Sequence, residues 1–161
     1  WAVIAEAMLG RGDRAFAYYL SFLPAAKNDQ AEVYTMEPYV YAQFITGKEH
    51  PDKFGRARNS WLTGTAAWSF VAVSQYLLGI RAAYDGLLID PTIPREWEGF
   101  EVNRCFRGKN FKIKVANPHR VSHGVTVLKV NGETVTGNLI PHTQMQEENL
   151  VEVVLGETKE R

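Results

Sequence analysis

Residues 35–79 read TMEPYVYAQFITGKEHPDKFGRARNSWLTGTAAWSFVAVSQYLLG, and this stretch decides the fold of the first half of the chain. Because proline is tolerated in the first turn of a helix, we predict a helix from Glu37-Pro38 to about residue 45, which Gly47 ends. After a polar loop, apolar residues recur at spacings of three and four. That pattern predicts a second helix over about 64–78.

The loop ends in Trp61-Leu62-Thr63-Gly64-Thr65, at the start of this second helix. Thr63 offers a hydroxyl, and Gly64 lets a ligand approach the backbone closely. The N–H groups of a first helical turn have no partners within the helix, so the segment suits an anion such as phosphate. The alternative is that Thr63 is an ordinary helix cap. If the segment binds phosphate, Thr65 could share that role with Thr63.

The helix predicted before the loop carries polar groups among aromatic rings. Glu37 and Tyr41 are four residues apart and would share a helix face, and Gln43 follows closely. Carboxylate, phenol and amide groups beside aromatic rings suit a sugar, which offers hydroxyls and an apolar face. Glu37 could instead stabilise the helix N-terminus, and Gln43 could lie on a solvated face. We predict that Tyr39 belongs to the core.

Outside this stretch, the two halves of the chain carry different patterns. Residues 1–9 form an amphipathic helix, and Asp13 is placed to cap a second helix over 14–23. Alternating segments in the second half predict strands at 87–90, 100–106, 110–115, 125–130, 133–136 and 150–155. We therefore predict an α+β fold, with helices over residues 1–82 and a small antiparallel β-sandwich or jelly-roll-like domain over 83–161.

Composition excludes several classes of function. The 161 residues, 45% of them hydrophobic, can bury one core or two small ones. The 18 basic and 18 acidic side chains balance, which gives no electrostatic case for nucleic acid or an anionic membrane. The longest apolar run is too short to span a bilayer. Trp1 opens a helix without an initiator Met or a signal peptide, so we expect the chain to be the C-terminal part of a longer protein.

Isolated residues suggest little further chemistry. Cys105 is the single cysteine, which fits a reducing compartment, and we predict a buried structural thiol. His50 has no second His or Cys at ligand spacing, so we predict no metal site. Helical spacing predicts that Trp61 and Trp68 belong to the core rather than to a sugar platform.

Two long segments carry a family resemblance. They are EPYVYAQFITGKEHPDKFGRARNSWLTGTAAW (37–68) and YLLGIRAAYDGLLIDPTIPREWEGFEVNRCFRG (76–108). Both closely resemble the C-terminal part of the inverting disaccharide phosphorylases of glycoside hydrolase family 94, such as the cellobiose, cellodextrin and chitobiose phosphorylases. The resemblance covers residues 1 to about 115 well and the remainder loosely. It implies the last helices of an (α/α)6 barrel followed by a C-terminal β domain.

The resemblance also implies a reaction. Inorganic phosphate, as co-substrate and without a cofactor, would cleave a β-linked, cellobiose-like disaccharide with inversion to give an α-sugar 1-phosphate. The family's phosphate-binding Thr-Gly pair matches Thr63-Gly64, and a family position that contacts sugar or phosphate matches Gln43. The family's general acid is an aspartate in an earlier barrel loop, and no aspartate here matches it. The resemblance therefore implies no catalytic residue in this chain, which would be inactive alone.

The implied partners are the disaccharide or the sugar 1-phosphate, the remainder of the same enzyme, and a second copy in a cytoplasmic homodimer. Two alternatives stay open. One is the tail of a cyclic β-glucan synthase or a related barrel hydrolase, which phosphate dependence would separate. The other is a non-catalytic carbohydrate-binding β domain, which would bind sugar through the sheet face of residues 100–155.

Overall fold

The computed structural model describes residues 1–158. The α-helices are α1 (Ala2–Met8), α2 (Gly12–Phe22), α3 (Ala31–Tyr34) and α4 (Thr65–Val71). A π-helix covers Ala72–Leu77, and 3₁₀ helices cover Pro24–Gln30, Pro51–Lys53 and His142–Gln144. The strands are β1 (Ala42–Ile45), β2 (Ala57–Ser60), β3 (Ile80–Ala82), β4 (Gly86–Ile89), β5 (Gly99–Phe106), β6 (Lys109–Ala116), β7 (Val125–Val130), β8 (Glu133–Thr134), β9 (Leu139–Pro141) and β10 (Glu148–Leu155).

The described chain divides into two compact units. One consists of residues 1–16 and the chain from residue 72 on, and the other of residues 17–71. The α+β class that we predicted is confirmed. The predicted domain boundary at 82/83 stays a prediction, because these units are defined by spatial contact and not by continuity along the chain.

The larger unit contains two sheets. A five-stranded sheet has the order β5-β6-β10-β7-β8, and a three-stranded sheet has the order β3-β4-β9. Neighbouring strands are antiparallel, as predicted, except that β6 and β10 run parallel, with Val151 opposite Ile113. The parallel pair arises because β10 inserts between β6 and β7. Parallel strands need a long connection, and the chain between β6 and β10 supplies one.

The core of this unit lies on the inward faces of the strands. Alternate residues of β6 and β10 are buried, as the period of two predicts. The buried cluster includes Leu87, Ile89, Ile93, Phe111, Ile113, Leu128, Ile140, Val151 and Leu155. On the opposite faces the side chains reach solvent. Cys105 is one of these and is exposed, so the predicted buried thiol is wrong.

Helix α2 begins at Gly12, two residues earlier than predicted. Gly12 lies so close to the backbone of Ile93 that a Cβ there would be only 2.0 Å from the Ile93 carbonyl oxygen. The carboxylate of Asp13 does not cap the helix. It accepts a hydrogen bond from the Arg95 backbone N–H at 2.9 Å and pairs with the Arg95 side chain at 3.5 Å. A tertiary contact has replaced the local one, and the predicted cap is wrong.

The smaller unit contains a two-stranded antiparallel sheet formed by β1 and β2, which we call the ribbon. Its register pairs Ala42 with Ser60 and Ile45 with Ala57. The helix predicted over 37–45 is therefore wrong. Val, Tyr, Phe and Ile in this segment favour strands, and pairing with β2 satisfies their backbone groups.

The long helix predicted over 64–78 is confirmed, with one change in its winding. It begins at Thr65 as α4 and continues from Ala72 as the π-helix, where the Leu78 N–H donates to the Val73 carbonyl, five residues back, at 2.8 Å. None of the helices in the described part of the chain has the length and apolar character needed to cross a bilayer. Trp61 and Trp68 are exposed here, so the prediction that they are core residues is not met in this chain.

Candidate functional site

The ribbon brings Gln43 together with a residue that the sequence did not single out. Asn59 lies across from Gln43, and its Nδ2 donates a hydrogen bond to Gln43 Oε1 at 2.8 Å. Both side chains are exposed. The bond uses one donor and one acceptor, which leaves the Gln43 amide N–H groups and the Asn59 carbonyl oxygen available to a ligand.

The backbone next to this pair is in a strained conformation. Asn59 has φ 56° and Trp61 has φ 66°, in the left-handed region that residues other than glycine seldom adopt. Asparagine tolerates the left-handed conformation because its short polar side chain can hydrogen-bond locally. Tryptophan has no such compensation. Such positions concentrate at functional sites. The asparagine before a serine, a turn-forming pair, is the sequence signal that could have pointed to Asn59.

Glu37 and Tyr41 do not share a helix face, because the segment between them is a turn that leads into β1. Glu37 is exposed, and its carbonyl oxygen accepts the Val40 N–H at 3.1 Å. Tyr41 is half-buried against Phe22, with ring centroids 6.1 Å apart. Tyr39 is 70% exposed and lies 6.3 Å from the ring of Trp61, so the prediction that Tyr39 is a core residue is wrong.

Tyr41 belongs to a group of phenols. Burial, then a hydrogen bond to Tyr41 and then the charge interaction with Tyr41, raise the pKa of Tyr19 to about 12. Burial also raises the pKa of Tyr34, although a hydrogen bond from the backbone of Ala42 opposes the increase. The raised pKa values mean that Tyr19 and Tyr34 keep their hydroxyl protons at neutral pH.

Thr63, Gly64 and Thr65 lie at the start of α4, as predicted. The Oγ1 atoms of Thr63 and Thr65 are 2.8 Å apart and share a hydrogen bond, and the Thr65 N–H donates to Thr63 Oγ1 at 3.2 Å. Two hydroxyls that share one bond keep one O–H proton for a ligand. The Trp68 N–H donates to the Gly64 carbonyl at 3.0 Å and closes the first turn.

Neither packing nor backbone strain explains the glycine at position 64. A Cβ at this position would meet only Trp68 Cδ1, at the ordinary contact distance of 3.8 Å, and the φ of Gly64 is not positive. Packing of the glycine therefore finds no support in the described residues, whereas the alternative of a threonine cap does, since Thr63 Oγ1 accepts the Thr65 N–H. Close approach of a ligand to the backbone remains as a reason for the missing side chain.

The two polar pairs are close along the chain. Thr63 is four positions after Asn59, and a chain of that length spans at most about 14 Å. The amide pair and the hydroxyl pair could thus contact two parts of one small ligand. No group of three His, Cys, Asp or Glu residues that could hold a metal is found within residues 1–158.

Comparison with known proteins places these residues in a family. The model of the glycosyl hydrolase 94 superfamily catalytic domain matches residues 1–79, and that of the glycosyl hydrolase family 65 C-terminal domain matches residues 80–136. N,N'-diacetylchitobiose phosphorylase of Vibrio proteolyticus is 47% identical over 156 residues, which are 97% of this chain and 19% of that protein. The chain belongs to the glycosyl hydrolase 94 superfamily.

Other relatives of this glycosyl hydrolase 94 chain extend the comparison. Solabiose phosphorylase of Paenibacillus borealis is 33% identical over 139 residues, 86% of the chain and 18% of that protein. Cyclic beta-(1,2)-glucan synthase NdvB of Rhizobium meliloti is 35% identical over 141 residues, 86% of the chain and 5% of that protein. The chain spans about a fifth or less of the length of these curated relatives. The family resemblance predicted from the sequence is confirmed.

Proposed function

We propose that the protein carrying this chain is an inverting phosphorylase of a β-linked disaccharide. The observation that carries the proposal is the similarity, over 97% of the chain, to an N,N'-diacetylchitobiose phosphorylase. Phosphate attacks the anomeric carbon from the face opposite the leaving sugar, and a carboxylic acid protonates the glycosidic oxygen as its bond to that carbon breaks. The products are an α-sugar 1-phosphate and a free sugar.

Phosphate is already a nucleophile, so the protein has to position it rather than activate it. We assign this task to Thr63 and Gly64, with Thr65 beside them. The remaining hydroxyl proton of the threonine pair and the first-turn N–H groups of α4 after Thr65, which have no partner within the helix, supply donors. The missing side chain of Gly64 leaves room for an oxyanion at the backbone.

The sugar lies, in this proposal, along the ribbon. The free amide groups of Gln43 and Asn59 bind sugar hydroxyls, and Asn59 holds Gln43 in place through the 2.8 Å bond. The exposed carboxylate of Glu37 accepts a hydrogen bond from a further sugar hydroxyl, and Tyr41 forms part of the wall of the sugar site. We propose that the general acid, and any other charged ligands of phosphate, lie outside these 161 residues. The chain alone would then be inactive.

The remaining features of the proposal rest on the family resemblance. The helices would be the last ones of an (α/α)6 barrel, the β unit a jelly-roll-like C-terminal domain, and the protein a cytoplasmic homodimer without an organic cofactor. N,N'-diacetylchitobiose is the first disaccharide to test, because the Vibrio proteolyticus relative is named for it, and cellobiose, which the family resemblance suggests, is the second.

The test is consumption of each disaccharide by the protein that carries this chain, with and without phosphate, and detection of sugar 1-phosphate. We expect turnover to require phosphate. A Thr63→Val variant should raise the phosphate KM about tenfold or more, since it removes a hydrogen bond to a charged group. Thr63→Ser keeps the hydroxyl and should restore most of the affinity. Hydrolysis without phosphate would contradict the proposal.

One alternative has an observation behind it. The 35% identity to a cyclic β-(1,2)-glucan synthase favours a glucan-processing relative with the same C-terminal region. That reading predicts no phosphate requirement and no effect of Thr63→Val on a phosphate KM. The phosphate omission experiment therefore separates the two functions.

A further inference from the structure

The ribbon has a second polar face, away from Gln43. Phe44 and Arg58 are register partners across the ribbon, and side chains alternate between the faces of a strand. The pairing continues beyond β1, where the Thr46 N–H donates to the Arg56 carbonyl at 2.9 Å. Two arginines and an aromatic ring thus lie on the face that Gln43 does not use.

A cleft of about 600 Å³ lies on this face. Its lining consists of Phe44, Thr46, Gly47, His50, Lys53, Arg56, Arg58 and Asn59, so the cleft extends to the residue that bonds to Gln43. The loop also carries Glu49 and Asp52. Neither lines the cleft, although Glu49 Oε2 lies beside Gly47, which does. The cleft is therefore positive although the whole chain is neutral, and low-dielectric walls strengthen such a local field.

No partner for the charged groups of Lys53, Arg56 and Arg58 is found within residues 1–158. The ion pairs found within residues 1–158 all involve other lysines, arginines and histidines. Arg56 Nε is buried and has no hydrogen-bond acceptor. A buried donor without a partner costs free energy, and water, an ion or a ligand can supply the missing acceptor.

We propose that this cleft is a binding site for a phosphoryl group, either as inorganic phosphate or carried on a sugar. None of Thr63, Gly64 and Thr65 lines the cleft. The planar guanidinium of Arg58 and the Nε–H of Arg56 match the oxygens of a phosphate, and Lys53 adds a point charge. The ring of Phe44, which is half exposed, offers an apolar surface against which the ring of a sugar phosphate can stack.

The test is arginine labelling with phenylglyoxal in the protein that carries this chain, with each arginine followed by peptide mass spectrometry. Arg58 is exposed and should react in the absence of ligand. We expect inorganic phosphate to protect Arg58 at concentrations where chloride of equal ionic strength does not. Glucose 1-phosphate forms the second arm. If glucose 1-phosphate protects Arg58 at lower concentrations than inorganic phosphate does, the site is assigned to a sugar phosphate. If the two protect at equal concentrations, it is assigned to the free ion.

Two lysines of the same loop provide a matched control. Lys53 lines the cleft and Lys48 does not, and both are exposed, so neither substitution threatens folding. Lys53→Gln should raise the phosphate concentration for half-protection about tenfold, the loss expected for one charge-assisted hydrogen bond. Lys48→Gln should leave it unchanged.

The proposal is independent of phosphorolysis because the readout is binding. Thr63→Val should leave the protection of Arg58 unchanged, which distinguishes the cleft from the proposed catalytic phosphate position. Equal protection by chloride would overturn the proposal. So would equal effects of the two lysine variants, because diffuse surface charge acts on both alike.

Discussion

Gly64 and Gly12 both lie at a helix start, yet the space around them differs. A Cβ at Gly12 would overlap the Ile93 carbonyl oxygen at 2.0 Å, whereas one at Gly64 would make an ordinary contact at 3.8 Å. The glycine at position 12 is required by packing of this chain on itself. The glycine at position 64 is not, and we connect it to ligand binding.

Substitution of the two glycines separates packing from binding. Gly64→Ala should keep or raise the unfolding free energy, by up to about 1 kcal/mol, because alanine restricts the unfolded chain. It should also raise the phosphate KM, since the new methyl group occupies the approach to the backbone. Gly12→Ala should lower the unfolding free energy. Denaturation and phosphate kinetics check both, and an unchanged phosphate KM in Gly64→Ala would remove Gly64 from the site.

Asn59 supplies a second test at the residue scale. Glycine adopts the left-handed conformation at φ 56° more readily than asparagine does, so Asn59→Gly should change the unfolding free energy by no more than about 1 kcal/mol. The variant loses the amide that holds Gln43. We expect the disaccharide KM to rise about tenfold, equivalent to about 1.4 kcal/mol. An unchanged KM in steady-state assays would mean that the amide pair does not face the sugar.

The ribbon shows why the element over 37–45 was mispredicted. The segment has a proline where helices tolerate one and four-residue spacing between polar groups, so local rules favour a helix. Its strand partner, β2, starts twelve residues after β1 ends. Pairing of two strands so far apart in sequence depends on closure of the connecting loop. The residue pattern of 37–45 alone carries no information about that closure.

At the scale of single strands, β6 should dominate the stability of the larger unit. Ile113 is fully buried in the middle of β6, between β5 and β10. Ile113→Ala should lower the unfolding free energy by about 2–5 kcal/mol, because it removes buried apolar volume and leaves a cavity. Lys112→Ala, on the exposed face of the same strand, should change it by about 0.5 kcal/mol or less. Denaturant titration of both variants measures the difference.

At the scale of the whole molecule, the raised pKa of Tyr19 should make the unfolding free energy fall as the pH rises into the alkaline range. An unfolded tyrosine titrates near pH 10, and folded Tyr19 near 12. Between these values the unfolded chain has lost this proton and the folded chain keeps it. The contribution of Tyr19 is therefore fully present below about pH 10 and is lost as the pH rises towards 12.

The measurement is denaturant titration at about pH 9 and about pH 12. Tyr19→Phe cannot ionise, so its unfolding free energy should fall less over this interval than that of the parent chain. Tyr84→Phe is the control, because Tyr84 is 90% exposed and should leave the fall unchanged. Identical falls in the parent chain and Tyr19→Phe would mean that burial of this phenol has no effect on global stability.

The sequence by itself determined the α+β class, the long helix that starts at Thr65, most strands of the β unit and the family. These features depend on local periodicity, on turn residues such as Asn131-Gly132 between β7 and β8, and on long matching segments, all of which can be read along the sequence. The candidate pair Thr63-Gly64 was predictable for the same reason.

Only the tertiary structure decided which residues meet. It paired Gln43 with Asn59, turned Cys105 outward, gave the Asp13 carboxylate to Arg95 instead of a helix cap, and inserted β10 parallel to β6. Each outcome depends on a contact between residues far apart in sequence. The free energy of such contacts can exceed a local preference, which is worth only a fraction of a kilocalorie per residue.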